Sequence, residues 1–156
     1  MTKEQKSQFT LRITEANATQ LVVILYDMAL VYLEEGQAAE NDEALSEAIR
    51  KIRGCVNELL SSLHMEYEVA QQMQRLYLFC IRRLAVAGRK KDKAPLKEVQ
   101  QVLQPLRDAY AEIASQNTAG AVMQNAQTVY TGLTYGKTAS LSENLTDGKS
   151  GRGMLV

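Results

Sequence analysis

The chain has 156 residues, enough for one domain with length to spare for an arm or tail. Eighteen basic and eighteen acidic side chains give a net charge of zero, which removes the simplest case for nucleic-acid binding. One His, two Cys, two Pro and no Trp leave little material for a metal site and suit a helical protein.

The first sixteen residues are polar at the start and contain no apolar core of a secretory signal, so a cytoplasmic location is expected. Phe9, Leu11 and Ile13 then alternate with polar residues. They are expected to form a covering arm (residues 1–16) laid over the helix that follows.

Asn17 and Gln20 form a capping-box signature in front of an apolar run, so the first predicted helix covers 18–38. The run from Leu21 to Leu33 is broken only by Asp27 and is too short for the ~20 residues of a membrane span, so no membrane insertion is expected. Asn41 and Asp42 offer the next N-cap. Leu45, Ile49, Ile52, Val56, Leu59 and Leu63 follow at spacings of four and three, a helical seam over nearly three heptads. Ser61 to Met65 reads as a tight reversal.

Val69, Met73, Leu76, Cys80, Leu84 and Ala87 repeat the rhythm, and Arg89-Lys90-Lys91 closes that helix where its dipole favours cations. Asp92 and Pro95 open a fourth helix with the seam Leu96, Val99, Leu103, Leu106, Tyr110 and Ile113, and with Pro105 inside it. Equal helices with short links predict an all-α, antiparallel up-down-up-down four-helix bundle over 17–117, flanked by the arm and a C-terminal extension. Residues 118–156 hold six of the nine glycines and only five charges. They read as a small-residue tail with a short helix over 119–131, disordered beyond it, and able to lie on the bundle as a self-ligand.

No catalytic machinery emerges. A di-iron bundle needs two Glu-x-x-His motifs, whereas the one histidine, His64, has Ser61 three residues before it. No phosphate loop or nucleophile elbow is present, and Cys55 and Cys80 fall on seam-like positions that suit buried apolar side chains. No cofactor or metal is expected. The basic stretch from Arg89 to Lys93 is interrupted by Asp92 and has no aromatic platform, so it reads as a solvated helix end.

Apolar residues are in excess instead. With Leu21, Leu25, Met28 and Tyr32 as the seam of the first predicted helix, Val23 and Leu30 fall near its far side, and Tyr26 and Leu33 well off the seam. Leu78, Phe79 and Val86 likewise leave the stripe of the third. Such a surplus must be covered by the arm, by the tail or by another protein docked as a helix in a groove.

Asn17-Ala18-Thr19-Gln20-Leu21 followed by Leu25-Tyr26-Asp27-Met28-Ala29 resembles the first-helix signature of FliS-type flagellin export chaperones. Leu76 to Leu84 is similar to that family's third-helix motif, and Leu96-Lys97-Glu98-Val99 with Leu106-Arg107-Asp108-Ala109-Tyr110 to its fourth helix. The resemblance covers about 9–115. It departs at Ala18, where the family usually has Pro, and in having Phe9 but no Tyr before Tyr26. It implies a non-enzymatic cytosolic chaperone that holds the disordered C-terminal segment of flagellin against early polymerisation and aids its type III export. It also implies an N-terminal segment that shields part of the groove. Expected partners are that flagellin segment, with the export apparatus or a co-chaperone as further ones, and a monomer or weak dimer as the assembly. Val23, Tyr26, Leu30, Leu33, Leu78, Phe79 and Val86 are the candidate client contacts, with packing the competing role for Tyr26. Phe9, Leu11 and Ile13 are the candidate cover. A helical adaptor using the same groove for a different client is the alternative.

Overall fold

A computed structural model describes the backbone of residues 1–124 and the side chains of residues 1–116. Among the described residues the fold is all-helical, with five helices: α1 (Lys3–Glu15), α2 (Ala18–Ala38), α3 (Asp42–Ser61), α4 (Glu68–Lys90) and α5 (Ala94–Gln124). Helices α2 to α5 match the four predicted from periodicity. The arm is a correction, because it folds as a helix in its own right. The Thr2 hydroxyl accepts from the Gln5 backbone N–H while the Gln5 side chain accepts from that of Thr2, closing a capping box.

The same device starts α2, where Asn17 Oδ1 accepts from Gln20 N at 2.8 Å and Gln20 Oε1 from Asn17 N at 2.9 Å. Asn41 caps α3 through Ala44 N. Helix α4 ends on Lys91, the one non-glycine residue with positive φ (53°) among those described. Asp92 then caps the start of α5 by accepting from Ala94 N. The basic stretch also contributes to the fold, since Lys93 Nζ donates to the Gln37 and Ala39 carbonyls, which α2 leaves unpaired at its C-terminus.

Helix α2 packs on α3 and α5, and α4 on the same two, so each of the four has two neighbours around one core. Helix α1 lies against α2. The core is built from Leu33, Ile52, Val56, Leu59, Leu84, Leu96, Val99 and Leu103, all fully buried, together with three tyrosines. Tyr26, Tyr77 and Tyr110 come from three helices. The Tyr26 ring lies 6.4 Å from that of Tyr77 and 5.6 Å from that of Tyr110, within the range of tilted aromatic pairing. Their hydroxyls are satisfied inside the core, Tyr26 with Tyr77 and Tyr110 with the Met73 sulfur.

The seam of α2 is also corrected. Its buried face is Thr19, Val22, Val23, Tyr26, Ala29, Tyr32, Leu33 and Gly36; of the expected seam Tyr32 is buried, Leu25 and Met28 are half-buried and packed against the core, and Leu21 is 38% exposed. Small residues explain the rotation. A Cβ on Gly36 would stand 2.8 Å from Leu96 Cδ1 and 3.4 Å from Ala48 Cβ, so α3 and α5 close in where α2 carries no bulk. A seam read from bulky residues alone misses Ala29 and Gly36. The change of composition at Asn117 does not break the backbone either, which stays helical to Gln124. The rest of the 119–131 helix, the disorder expected beyond it and the tail as self-ligand lie outside the described residues.

Candidate functional site

Helix α2 is wrapped on two sides, and the outer one is the candidate site. At 100° per residue Ile24 stands half a turn from Leu33, facing away from the core, yet it is only 2% exposed. Phe9 of α1 is 9% exposed. Both are buried outside the main core cluster, on the side where α1 packs against α2.

Polar contacts align α1 on α2. Asp27 sits between two arginines, with Arg12 Nη2 of α1 donating to Oδ2 at 2.8 Å and Arg107 Nε of α5 donating to Oδ1 at 2.7 Å. The Arg107 guanidinium titrates even higher than usual because it hydrogen-bonds the Asp27 carboxylate. The Met1 ammonium meets the Glu35 carboxylate further along the same helix. Beside these contacts opens a groove of about 330 Å³. Its walls are Arg12, Glu15 and Ala16 from the end of α1, Gln20, Val23 and Ile24 from α2, and Ala111, Ala114 and Ser115 from α5.

A second apolar strip runs along the flank of α2 through Leu21, Leu25 and Met28, which are at best half-covered. Leu60 and Leu63, at the end of α3 and just after it, are half-buried as well. Sequence reasoning assigns Leu21, Leu25 and Met28 to the core, and the last two do pack against it, so the part it misses is the exposure of Leu21 and of the outer sides of the other two. The signal that could have shifted the assignment is the small-residue pair Ala29 and Gly36, which stand beside Leu25 on the edge of the strip nearer the core.

The expected contact residues do not form one surface. Val23, Tyr26 and Leu33 are buried in the core, and Leu30 and Phe79 are half-buried and packed against it. Val86 is half-buried, and Leu78 is exposed (40%) next to the buried Tyr77. Of the expected cover only Phe9 is buried. Alternation places Leu11 on the far side of α1 from Phe9, and it and Ile13 are exposed.

No chemistry of bond making is assembled here. Among the described residues no group of three or more His, Cys, Asp or Glu stands together to hold a metal. Both cysteines are buried and free; desolvation pushes the Cys55 thiol up to about 11 and the Cys80 thiol up to about 12, the reverse of an activated nucleophile. His64 lies in the turn before α4, its carbonyl accepting from Tyr67 N. No described helix is long and apolar enough to cross a membrane.

The family model described as flagellar protein FliS matches residues 1–117. The flagellar secretion chaperone FliS of Salmonella typhimurium is 32% identical over 111 residues, covering 65% of this chain and 80% of that protein. The flagellar secretion chaperone FliS of Bacillus subtilis is 30% identical over 103 residues, covering 64% of this chain and 77% of that protein.

Proposed function

The chain belongs to the flagellar protein FliS family, a family of chaperones and not of enzymes, and on that premise we propose that it is a cytoplasmic export chaperone for the disordered C-terminal segment of flagellin. It holds that segment apart from other flagellin molecules and presents it to the type III export apparatus. The scaffold is an antiparallel up-down-up-down bundle of α2 to α5, a reading supported by their closed ring of neighbours and short links. Residues 1–16 are the movable cover, residues 17–117 the bundle, and the tail from 118 an appendage.

The observation that carries the proposal is the double burial of α2. One face is sealed in a core with satisfied tyrosine hydroxyls, while the opposite face, at Ile24, is buried on the side where the short helix α1 packs, beside a groove shared with α5. A client wrapping a helical surface spends ~2–5 kcal/mol or more on its own ordering. Apolar area returns at most ~25 cal/mol per Å². With no net charge to draw on, the chain must supply apolar strips, and α2 offers two, at Ile24 under the cover and at Leu21–Leu25–Met28 beside it. Leu30, Leu78, Phe79 and Val86 extend the candidate contacts and Val23 adds to the groove wall beside Ile24, whereas Tyr26 and Leu33 act through the bundle that presents them.

Titrating the C-terminal peptide of flagellin into the purified chain tests this directly. Saturable binding at micromolar concentrations is expected, and no heat at tens of micromolar would sink the reading.

A further inference from the structure

We propose that Asp27 selects what lies on the outer face of α2: a partner helix that carries a large apolar or aromatic side chain and, three residues later, an arginine or lysine. The client-binding part rests on the chaperone reading above. The geometry comes from this chain's own helix α1, which already shows the pattern in Phe9 and Arg12.

Asp27 is a shared carboxylate on a partly buried site, its side chain 15% exposed. Its two arginines differ in permanence. Arg107 belongs to α5, which is built into the core through Leu103 and Tyr110 on either side of it. Arg12 belongs to α1, held to the rest by Phe9, the Asp27 contact and, at the residue that precedes the helix, the Met1–Glu35 pair and the packing of Met1 against the core. When α1 moves aside, Oδ1 keeps Arg107 and Oδ2 loses its partner. What remains is a half-satisfied carboxylate at the edge of an apolar face, next to a groove with room for side chains.

Arg12 is also pre-arranged. Its guanidinium lies 5.5 Å from the centroid of the Phe9 ring, so anchor and cation travel as one unit one helical turn apart. A replacing helix with the same spacing and direction meets Asp27 with its cation and sets its apolar residue where Phe9 packs, on the Glu35 side of Asp27. A helix with Glu or Asp at the second position brings like charge onto Asp27 and is rejected. Exposed ion pairs contribute little affinity, so Asp27 acts through discrimination, and the apolar contact supplies the binding.

The test uses the full chain carrying Phe9→Ala, Arg12→Ala and Glu35→Gln, which loosens α1 by removing its apolar anchor and both of its ionic contacts. Two probe peptides are titrated by fluorescence anisotropy: residues 2–16 of this chain, and the same peptide with Arg12→Gln. The arginine peptide is expected to bind roughly 5- to 10-fold more tightly, with the advantage lost when Asp27→Asn is added to the chain. Should that further substitution prevent folding, salt decides, since the advantage must then shrink steadily between about 50 and 500 mM. Equal binding of the two peptides, an advantage that survives Asp27→Asn or high salt, or no binding of the arginine peptide overturns the proposal. The flagellin C-terminal peptide, with and without its cations changed to Gln, is run on the same proteins. Binding that ignores both changes overturns Asp27 as the selector of that client but leaves the chaperone reading standing. No flagellin binding beside Asp27-dependent binding of the 2–16 peptide overturns the chaperone reading instead.

Discussion

The two faces of α2 are held by different physics. The inner face packs Val22, Tyr26, Ala29 and Leu33 against three other helices, and Gly36 lets Leu96 approach within van der Waals reach. The outer face has α1, with one buried aromatic, an arginine on Asp27 and a terminal ammonium on Glu35. Burial of Ile24 (2% exposed) is nearly as complete as that of the core, so exposure alone does not separate the two. What separates them is how many elements must move to uncover each. The core is expected to open only when the domain unfolds, and the outer face when one thirteen-residue helix detaches. An isolated helix of that length is marginal in water, so α1 stays helical mainly through its contacts. On the proposed function, this arrangement makes a stable scaffold with a local, reversible cover.

The contrast breaks first at the core. Leu33→Ala removes a fully buried side chain from the inner face and is expected to cost about 2–5 kcal/mol of global stability by chemical denaturation. If it cost no more than a surface change, the inner face would not be the sealed one.

Alkali sharpens the same point. Burial raises the folded pKa of Tyr26, Tyr77 and Tyr110 well above 10. The unfolded tyrosines lose protons near pH 10 while the folded ones keep theirs. Stability is therefore fully present below pH 10 on their account and falls as the pH rises above it, by up to about 1.4 kcal/mol per pH unit for each group. Cys55 and Cys80 add the same sign from pH 9 upward. Tyrosinate absorbance for these three should appear together with loss of helix. Titration of all seven tyrosines near pH 10 with helix intact would contradict the burial of these three.

Phe9→Ala acts on the other side. It should abolish hydrogen-exchange protection across Lys3–Glu15 while shifting the global unfolding free energy by less than about 1 kcal/mol, because α1 can leave without the core. A global loss of several kcal/mol would make α1 part of the bundle and not a cover.

Leu21→Ser is the mildest for stability, within about 0.5 kcal/mol given its exposure. It is nevertheless expected to weaken flagellin-peptide binding several-fold in calorimetry. An unchanged affinity would take the flank strip out of the client surface.

The helices from 18 onward are legible in the sequence because caps and period agree: Asn17 with Gln20, Asn41, and seams at three and four residues define α2 to α5 closely. What misleads is the weighting of size. Leu21, Leu25 and Met28 look like core because they are large, and Ala29 and Gly36 are easily overlooked because they are small. The excess on α2 is therefore visible in the sequence but falls on the wrong flank. The helix at 3–15 is hidden because Phe9, Leu11 and Ile13 alternate, and their alternation reflects exposure of two of the three. Asp27 looks like an interruption of an apolar run. Its meaning depends on Arg12 and Arg107, which no local pattern links to it.

Hydrogen exchange of the full chain, free and saturated with flagellin C-terminal peptide, tests the cover most directly. Lys3–Glu15 should lose protection as the client binds, while amides of α2 around Ile24 and Asp27 gain it and the amides around Tyr77 and Leu103 stay unchanged. Undiminished protection of α1 in the saturated complex would mean that the client binds elsewhere and that the outer face of α2 is not its site.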